Sequence, residues 1–354
     1  MLIIENADVY NPRPLGRNGI VVAGGRIEAI GDLDTRSLAR QLPCEVVDAS
    51  DCIAIPGLID PHVHLIGGSG EEGFASQTPE IARAELLLNG ITTVVGTLGT
   101  DTTTRTLAAL LAKVKGLRER HVSAYMWTGG YDARPLGGSI RDDIILIEEV
   151  IGAGEIAISD RRGVHFSTRE LARLAAHCHV AGTLAGKAGI LHLHVGEGRD
   201  RLAAIAELLD RFEVAPSSIY PTHVNRNDEL VAEAAALTRR GVPVDFDVYE
   251  RNLARWILRF DGDRALLTIS SDAAINSPAT LLQQVRGLVV ERLLPMEEAL
   301  ALVTRNTANV LKLHDQGELA AGKRANIVLL DAGTLAVRHV IAAGTVVVEN
   351  GELR

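Results

Sequence analysis

Three histidine pairs spaced at i and i+2 occur in a chain of 354 residues that carries 11 histidines. The first, His62-Val63-His64, follows an apolar run from Ile53 to Ile59. On a strand, residues i and i+2 point to one face roughly 7 Å apart, so two imidazoles can converge on one ion. The pair His192-Leu193-His194 lies in another apolar run. His194, at its end, is the expected ligand, and His192 a buried neighbour one layer deeper. His177-Cys178-His179 sits in a helical pattern, where i and i+2 diverge, and reads as helix surface. His223 in Pro221-Thr222-His223-Val224-Asn225 and Asp272 in Ser270-Ser271-Asp272-Ala273 end further apolar runs, and Glu155 opens the run to Asp160. Taken singly, these are a capped core histidine, a turn cap and a solvated loop carboxylate. Together, four histidines and two carboxylates along successive strands describe a metal site. His121, His165, His314 and His339 fall outside strand ends and read as structural or exposed.

Nitrogen and oxygen ligands without thiolate favour Zn2+, with Mn2+, Co2+ or Fe2+ as alternatives. Two ions sharing a carboxylate and a hydroxide would use all six residues; a one-metal site is the simpler variant. Metal-bound water ionises near neutral pH, and the same ions polarise a carbonyl. Asp272, touching both metal and water, could then carry a proton to a leaving amine. The reaction class is hydrolysis of an amide or amidine C–N bond.

Such a site needs a scaffold that gathers strand ends. Apolar strands end near His64, Gly96, Thr128, Asp160, Val195, Val224, Val248 and Asp272, with amphipathic stretches such as Thr103 to Arg120 and Ser167 to Gly182 between them. Eight strands in βα alternation predict an α/β fold, a (β/α)8 TIM barrel with its chemistry at the C-terminal strand ends. A doubly wound sheet is the runner-up. Only about 18 residues separate Val248 from Leu266, so the seventh helix must be short. Both chain ends instead hold short β-branched runs, from Leu2 to Val47 and from Asn326 to Val348, with no helix to cover them. The expected organisation is one small β-sandwich built from 1–55 and 312–354 around a barrel of 56–311.

Composition narrows the class. Hydrophobic residues at 47% and charged residues at 23% exclude disorder or a fibre. A formal charge of -9 argues against nucleic acid or an anionic membrane as partner. No apolar run reaches the roughly 18 residues of a membrane helix, and Met1 to Tyr10 lacks the pattern of a secretion signal. Three scattered cysteines, Cys44, Cys52 and Cys178, make neither a disulfide frame nor a thiolate cage. The expectation is a cytoplasmic enzyme acting on a small molecule.

With these residues in view, the chain resembles the amidohydrolase superfamily, through Pro56-Gly57-Leu58-Ile59-Asp60-Pro61-His62-Val63-His64 and Gly322-Lys323-Arg324-Ala325-Asn326-Ile327-Val328. Within it the chain is most similar to the isoaspartyl dipeptidases, zinc enzymes that hydrolyse β-aspartyl dipeptides. The more specific stretches are His64-Leu65-Ile66-Gly67-Gly68, Thr128-Gly129-Gly130-Tyr131, Ala157-Ile158-Ser159-Asp160 and Pro221 to Asn227. The resemblance implies His62 and His64 on one ion, His194 and His223 on the other, and Asp272 as proton shuttle. It further implies that Glu71 holds the substrate's α-ammonium and Tyr131 polarises the scissile carbonyl. Arg162 and Arg226 would grip carboxylates, with Thr100 a backbone-level contact; a surface ion pair is the plain alternative for either arginine. A homo-oligomer is also implied.

Three departures from the family pattern stand out. Glu155 occupies the place of a carbamylated lysine that usually bridges the ions; it keeps the charge but is shorter by three atoms. Gly152, Gly154 and an apparent extra residue there would let the backbone move inward. The family's serine after the last-strand aspartate is displaced, leaving Asn276 or Ser277 as candidates for substrate contact. The segment from Tyr249 to Arg264 is short, and Ser69 replaces a glycine. The same metal site acting on an N-acyl amino acid, a cyclic amide or a base to be deaminated is the alternative reading, and a non-catalytic protein of this fold a third.

Overall fold

The computed structural model describes residues 1–41, 43–248, 253–274 and 276–354. Five strands open the chain: β1 (Leu2–Tyr10), β2 (Pro14–Ala23), β3 (Arg26–Gly31), β4 (Glu45–Asp48) and β5 (Cys52–Pro56). Eight parallel strands follow: β6 (Leu58–Val63), β7 (Ile91–Gly96), β8 (Ser123–Gly129), β9 (Val150–Ile158), β10 (Ile190–Val195), β11 (Ile219–Thr222), β12 (Val244–Asp247) and β13 (Leu267–Ser270). The chain closes with β14 (Ile327–Asp331), β15 (Val337–Ala342), β16 (Thr345–Glu349) and β17 (Glu352–Leu353).

Strands β6 to β11 form one parallel sheet in sequential order, and β12 pairs with β13. The sheet curls, and at the end of β6 Val63 forms an isolated parallel bridge with Ala273, beyond β13, while the His64 N–H donates to the Ala273 carbonyl at 3.0 Å. The residues of β6, β7, β9 and β10 are buried on both faces, which is why they read as unbroken apolar runs. Helices cover the outside, most clearly Thr168–Ala185, which starts at a Ser167–Glu170 capping box. Of the short segment after Val248, Tyr249 and its neighbours through 252 lie outside the described residues; Leu253–Arg259 forms a seven-residue helix. None of the helices is long and apolar enough to cross a membrane among the described residues.

Glu155 does not open its strand, as expected, but sits inside β9. Ala153 pairs with Leu191 and Ile156 with Leu193, so Gly154 and Glu155 together face the single residue His192. That is a β-bulge, the extra residue anticipated beside Gly152 and Gly154. Both glycines are there for contact distance. A Cβ on Gly154 would lie 2.6 Å from the His192 Cβ, and one on Gly152 would lie 2.4 Å from the Ile190 carbonyl oxygen.

The two chain ends do pair, with β14 antiparallel to β5. The outcome differs from two separate sheets: hydrogen bonding runs through one nine-stranded sheet that forks at β1. The reason lies in β1, which pairs with β2 along one edge and divides its other edge between β4 and β5. Residues from both ends, among them Ile4, Ile20, Ile27, Ile327, Leu329 and Ile341, share one core.

Candidate active site

The strand ends deliver their side chains to one buried cluster. His62 is the next-to-last residue of β6 and His64 follows the strand; His194 comes from β10, His223 follows β11, Glu155 rises from the β9 bulge and Asp272 follows β13. His223 and Asp272 have φ of 63° and 49°. This left-handed backbone costs of order 1–3 kcal/mol per non-glycine residue and is typical of functional sites. The Glu155 carboxylate lies 3.6 Å from the Nε2 atoms of His62, His64 and His223, and 2.9 Å from His194 Nδ1. Asp272 Oδ1 lies 3.3 Å from His62 Nε2 and 3.4 Å from His64 Nε2. Two groups of donor atoms within 4.8 Å of one another result: His62, His64 and Asp272, and His62, Glu155 and His223. His194 reaches the second group through Glu155.

Hydrogen bonds around the cluster assign which ring nitrogen faces inward. His192 Nδ1 lies 2.9 Å from the Tyr220 carbonyl, which can only accept, so that nitrogen carries the proton. Burial keeps His192 neutral, holding its pKa well below the usual histidine value. Its Nε2 therefore accepts from His62 Nδ1 at 2.8 Å. In neutral His62, this leaves Nε2 as a lone pair, fully buried and without a hydrogen-bond partner among the described residues. Asp247 holds His223 Nδ1 at 2.8 Å, and Asp160 holds His194 Nε2 at 3.1 Å. Carboxylates and carbonyls that orient histidines in this way are the usual outer shell of a metal centre.

The electrostatics point the same way. Burial disfavours charge on His223, yet Asp272, Asp247 and Glu155 push its pKa up to about 10. Burial likewise opposes ionisation of Asp272 and Glu155, but the surrounding histidines hold both well below the normal carboxylate range. Two carboxylates ringed by imidazoles, Glu155 buried and Asp272 partly so, attract positive charge. The orphaned His62 nitrogen, the nitrogen and oxygen donor set and this field fit a divalent cation.

A cavity of about 310 Å³ opens above the cluster. Tyr131 lines it, with its hydroxyl 2.9 Å from His194 Nδ1. Burial and the charge of Glu155 hold the phenol well above its ordinary pKa, so it stays protonated. Buried Asp143 braces the Tyr131 turn, accepting from Thr128 Oγ1, Leu136 N and Gly137 N at 2.6–2.8 Å. Glu71, Thr100 and Arg226 also line the cavity. Arg162 lines the cavity too, and it is an exposed, ion-paired residue: it donates to both oxygens of Asp160, at 2.6 and 2.9 Å, and to Glu71 at 2.6 Å.

Asn276 and Ser277 are not among the residues lining this cavity. Asn276 turns back to donate to the Ser271 carbonyl at 2.9 Å, and the Ser277 hydroxyl accepts from Ala279 N at the start of the helix Ala279–Val290. Ala274 faces the cavity in their stead. Conversely, Asp160, Asp247 and Glu197 reach the site without having been singled out. Asp247 had a visible signal, because Asp245-Phe246-Asp247 puts two carboxylates on one strand face at the end of β12.

The amidohydrolase family model matches residues 53–347. A β-aspartyl dipeptidase structure from Fervidobacterium islandicum AW-1 superposes with a TM-score of 0.95 at 34% identity, covering 100% of this chain and 98% of that one. A structure of the Fervidobacterium enzyme with β-Asp-Leu gives 0.94 at 32% identity, covering 100% and 97%. Among curated relatives, the adenine deaminase of Listeria welshimeri is 27% identical over 99% of this chain, which spans 58% of that protein's length. The imidazolonepropionase of a Geobacillus strain is 26% identical over 99% of the chain and 92% of its own length. The chain belongs to the amidohydrolase superfamily and, within it, to the isoaspartyl dipeptidase family.

Proposed function

We propose that this protein hydrolyses the isopeptide bond of β-aspartyl dipeptides at a metal centre held by His62, His64, Glu155, His194, His223 and Asp272. The observation that carries the reading is one cavity in which Glu71, Arg162 and Arg226 stand over the histidine–carboxylate cluster. A dipeptide zwitterion offers one ammonium and two carboxylates to that set, and arginine binds carboxylates bidentately. A neutral base or cyclic amide has no use for such a clamp, which weighs against a deaminase despite the Listeria relative.

The donor set suits zinc: His62, His64, Glu155, His194, His223 and Asp272 would hold one ion or two without need of carbon dioxide, and bound ions would supply a nucleophile at neutral pH and a Lewis acid. The protein's own groups do the rest. Glu71 accepts the α-ammonium, and Arg226 and Arg162 take carboxylates. Tyr131, kept protonated, donates to the carbonyl oxygen as charge develops there. The Asp272 carboxylate takes the proton of the attacking water and returns it to the departing amine. Thr100 adds a contact at the cavity wall.

The eight parallel strands are read as a closed (β/α)8 barrel, spanning 56–311, with 1–55 and 312–354 as a second domain. Metal analysis of the purified protein together with a β-Asp-Leu and α-Asp-Leu assay tests the function. Stoichiometric metal and selective cleavage of β-Asp-Leu are expected; metal-free active protein, or equal cleavage of both peptides, would overturn the reading.

A further inference from the structure

Tyr131 sits on the connection between β8 and the helix Ile140–Leu146. That connection has no helix or strand of its own to fix the phenol. Gly129, Gly130 and Ala133 all take positive φ, at 120°, 72° and 57°. The Gly130 N–H reaches the Gly154 carbonyl at 3.0 Å, beside Glu155, and Gly129 bridges Arg134. What holds the loop as a whole is the tie between its two limbs.

That tie is one buried carboxylate. Asp143 Oδ2 accepts from Thr128 Oγ1 on the incoming limb and from Leu136 N on the outgoing one, so a single oxygen spans both. Oδ1 takes Gly137 N, and the fit is close: a Cβ on Gly137 would lie 2.9 Å from that oxygen. Asp143 is buried, its partners are these neutral donors, and among the described residues no cation pairs with it. Burying a carboxylate is costly unless its hydrogen bonds repay it. The helix does not need Asp143 as a cap, because Ser139 Oγ already accepts from Asp142 N at 3.1 Å. The hydrogen bonds that repay the burial are spent on the loop that carries Tyr131.

Resting on the proposed part of Tyr131 in the reaction, we infer that Asp143 is a positioning residue for catalysis. By tying both limbs of the loop it holds the phenol where charge develops on the carbonyl oxygen, and so acts on the transition state more than on substrate binding. Glu71 and Arg226 follow β6 and β11, away from the tie. Removing an oxyanion donor outright costs about 10²–10³ in kcat, and a displaced donor loses part of that. Asp143→Ala should therefore lower kcat for β-Asp-Leu by about tenfold to a hundredfold and leave KM within about twofold.

A double-mutant cycle on the metal-loaded enzyme tests this. It measures kcat, KM and metal content for wild type, Asp143→Ala, Asp143→Asn, Tyr131→Phe and the combined variants. Tyr131→Phe alone should lose about a hundredfold or more in kcat. With the hydroxyl already gone, Asp143→Ala should cost less than about twofold further, since nothing is left to position. Asp143→Asn keeps an acceptor for Thr128 and Leu136 but turns its amide onto the Gly137 N–H, and should retain more kcat than alanine. Metal content should match wild type throughout. Wild-type kcat in Asp143→Ala, loss of metal from it, or the same fold-loss with and without the Tyr131 hydroxyl overturns the inference. Should Asp143→Ala fail to fold, Asp143→Asn and Thr128→Val carry the same cycle. A fully active Tyr131→Phe sinks the inference while β-Asp-Leu cleavage leaves the parent activity standing; a wild type inert on β-Asp-Leu sinks both.

Discussion

Gly154→Ala adds one methyl group at the point where β9 bulges toward β10. Its carbon would lie 2.6 Å from the His192 Cβ and 2.9 Å from the His192 carbonyl oxygen. Carbon atoms in good contact sit about 3.5–4.0 Å apart, so the strands must part by roughly 1 Å. Neither neighbour is a flexible side-chain tip, and β9 is hydrogen-bonded on both sides, so the strain has no cheap outlet. Overpacking of this kind costs about 1–3 kcal/mol. The displacement also carries Glu155, the adjacent residue, away from histidines only 2.9–3.6 Å distant. Misplacing a catalytic constellation by about 1 Å can cost a hundredfold in rate. Gly116→Ala is the matched control: that glycine lies in the helix Leu107–Arg118, with nothing within 4 Å of the added carbon. Alanine there should stabilise by about 0.5–1 kcal/mol. Thermal melts, metal content and β-Asp-Leu turnover read both variants. Gly154→Ala should melt lower, lose metal and lose activity about a hundredfold, while Gly116→Ala melts at or above wild type. If Gly154→Ala keeps wild-type melting and metal content, the close approach at the bulge is not what seats Glu155.

Asp272→Asn should reduce β-Asp-Leu turnover by at least about a hundredfold, because the amide neither takes the proton nor binds an ion as well; near-wild-type rates would remove Asp272 from the chemistry. Glu155→Gln should lower the metal count per chain, and wild-type activity should be indifferent to added bicarbonate; a bicarbonate requirement would contradict a glutamate bridge. Stripping the metal with a chelator should lower the melting temperature and zinc should restore it, since an ion bound only by the folded state stabilises it; an unchanged melt would argue against a metal centre. Arg226→Ala should raise KM for β-Asp-Leu more than it lowers kcat, and an equal loss on an uncharged acyl substrate would refute its part in carboxylate binding.

Local pattern carried much of the site. Histidine pairs at strand spacing, and His223 and Asp272 at the ends of apolar runs, were legible because strand geometry alone sends such residues to one face and a curled parallel sheet gathers its strand ends. The pairing of both chain ends was legible too, from strands that no helix could cover. Glu155 was expected to open its strand but lies inside it, because the bulge it forms with Gly154 is defined only by pairing with β10. There Gly152 and Gly154 are the residues that fit where β9 crowds Ile190 and His192.

What the chain encodes by itself is chemistry with a local period: which residues can bind metal, which runs are strands, which face each side chain takes. Tertiary structure alone decided the rest. It set Asp160 and Asp247 behind His194 and His223, joined Arg162 to Glu71 across 91 positions of chain and turned Asn276 away from the cavity. Each of these depends on distances between segments remote in sequence, and those distances follow from how the whole sheet curls and packs. No short-range rule contains them.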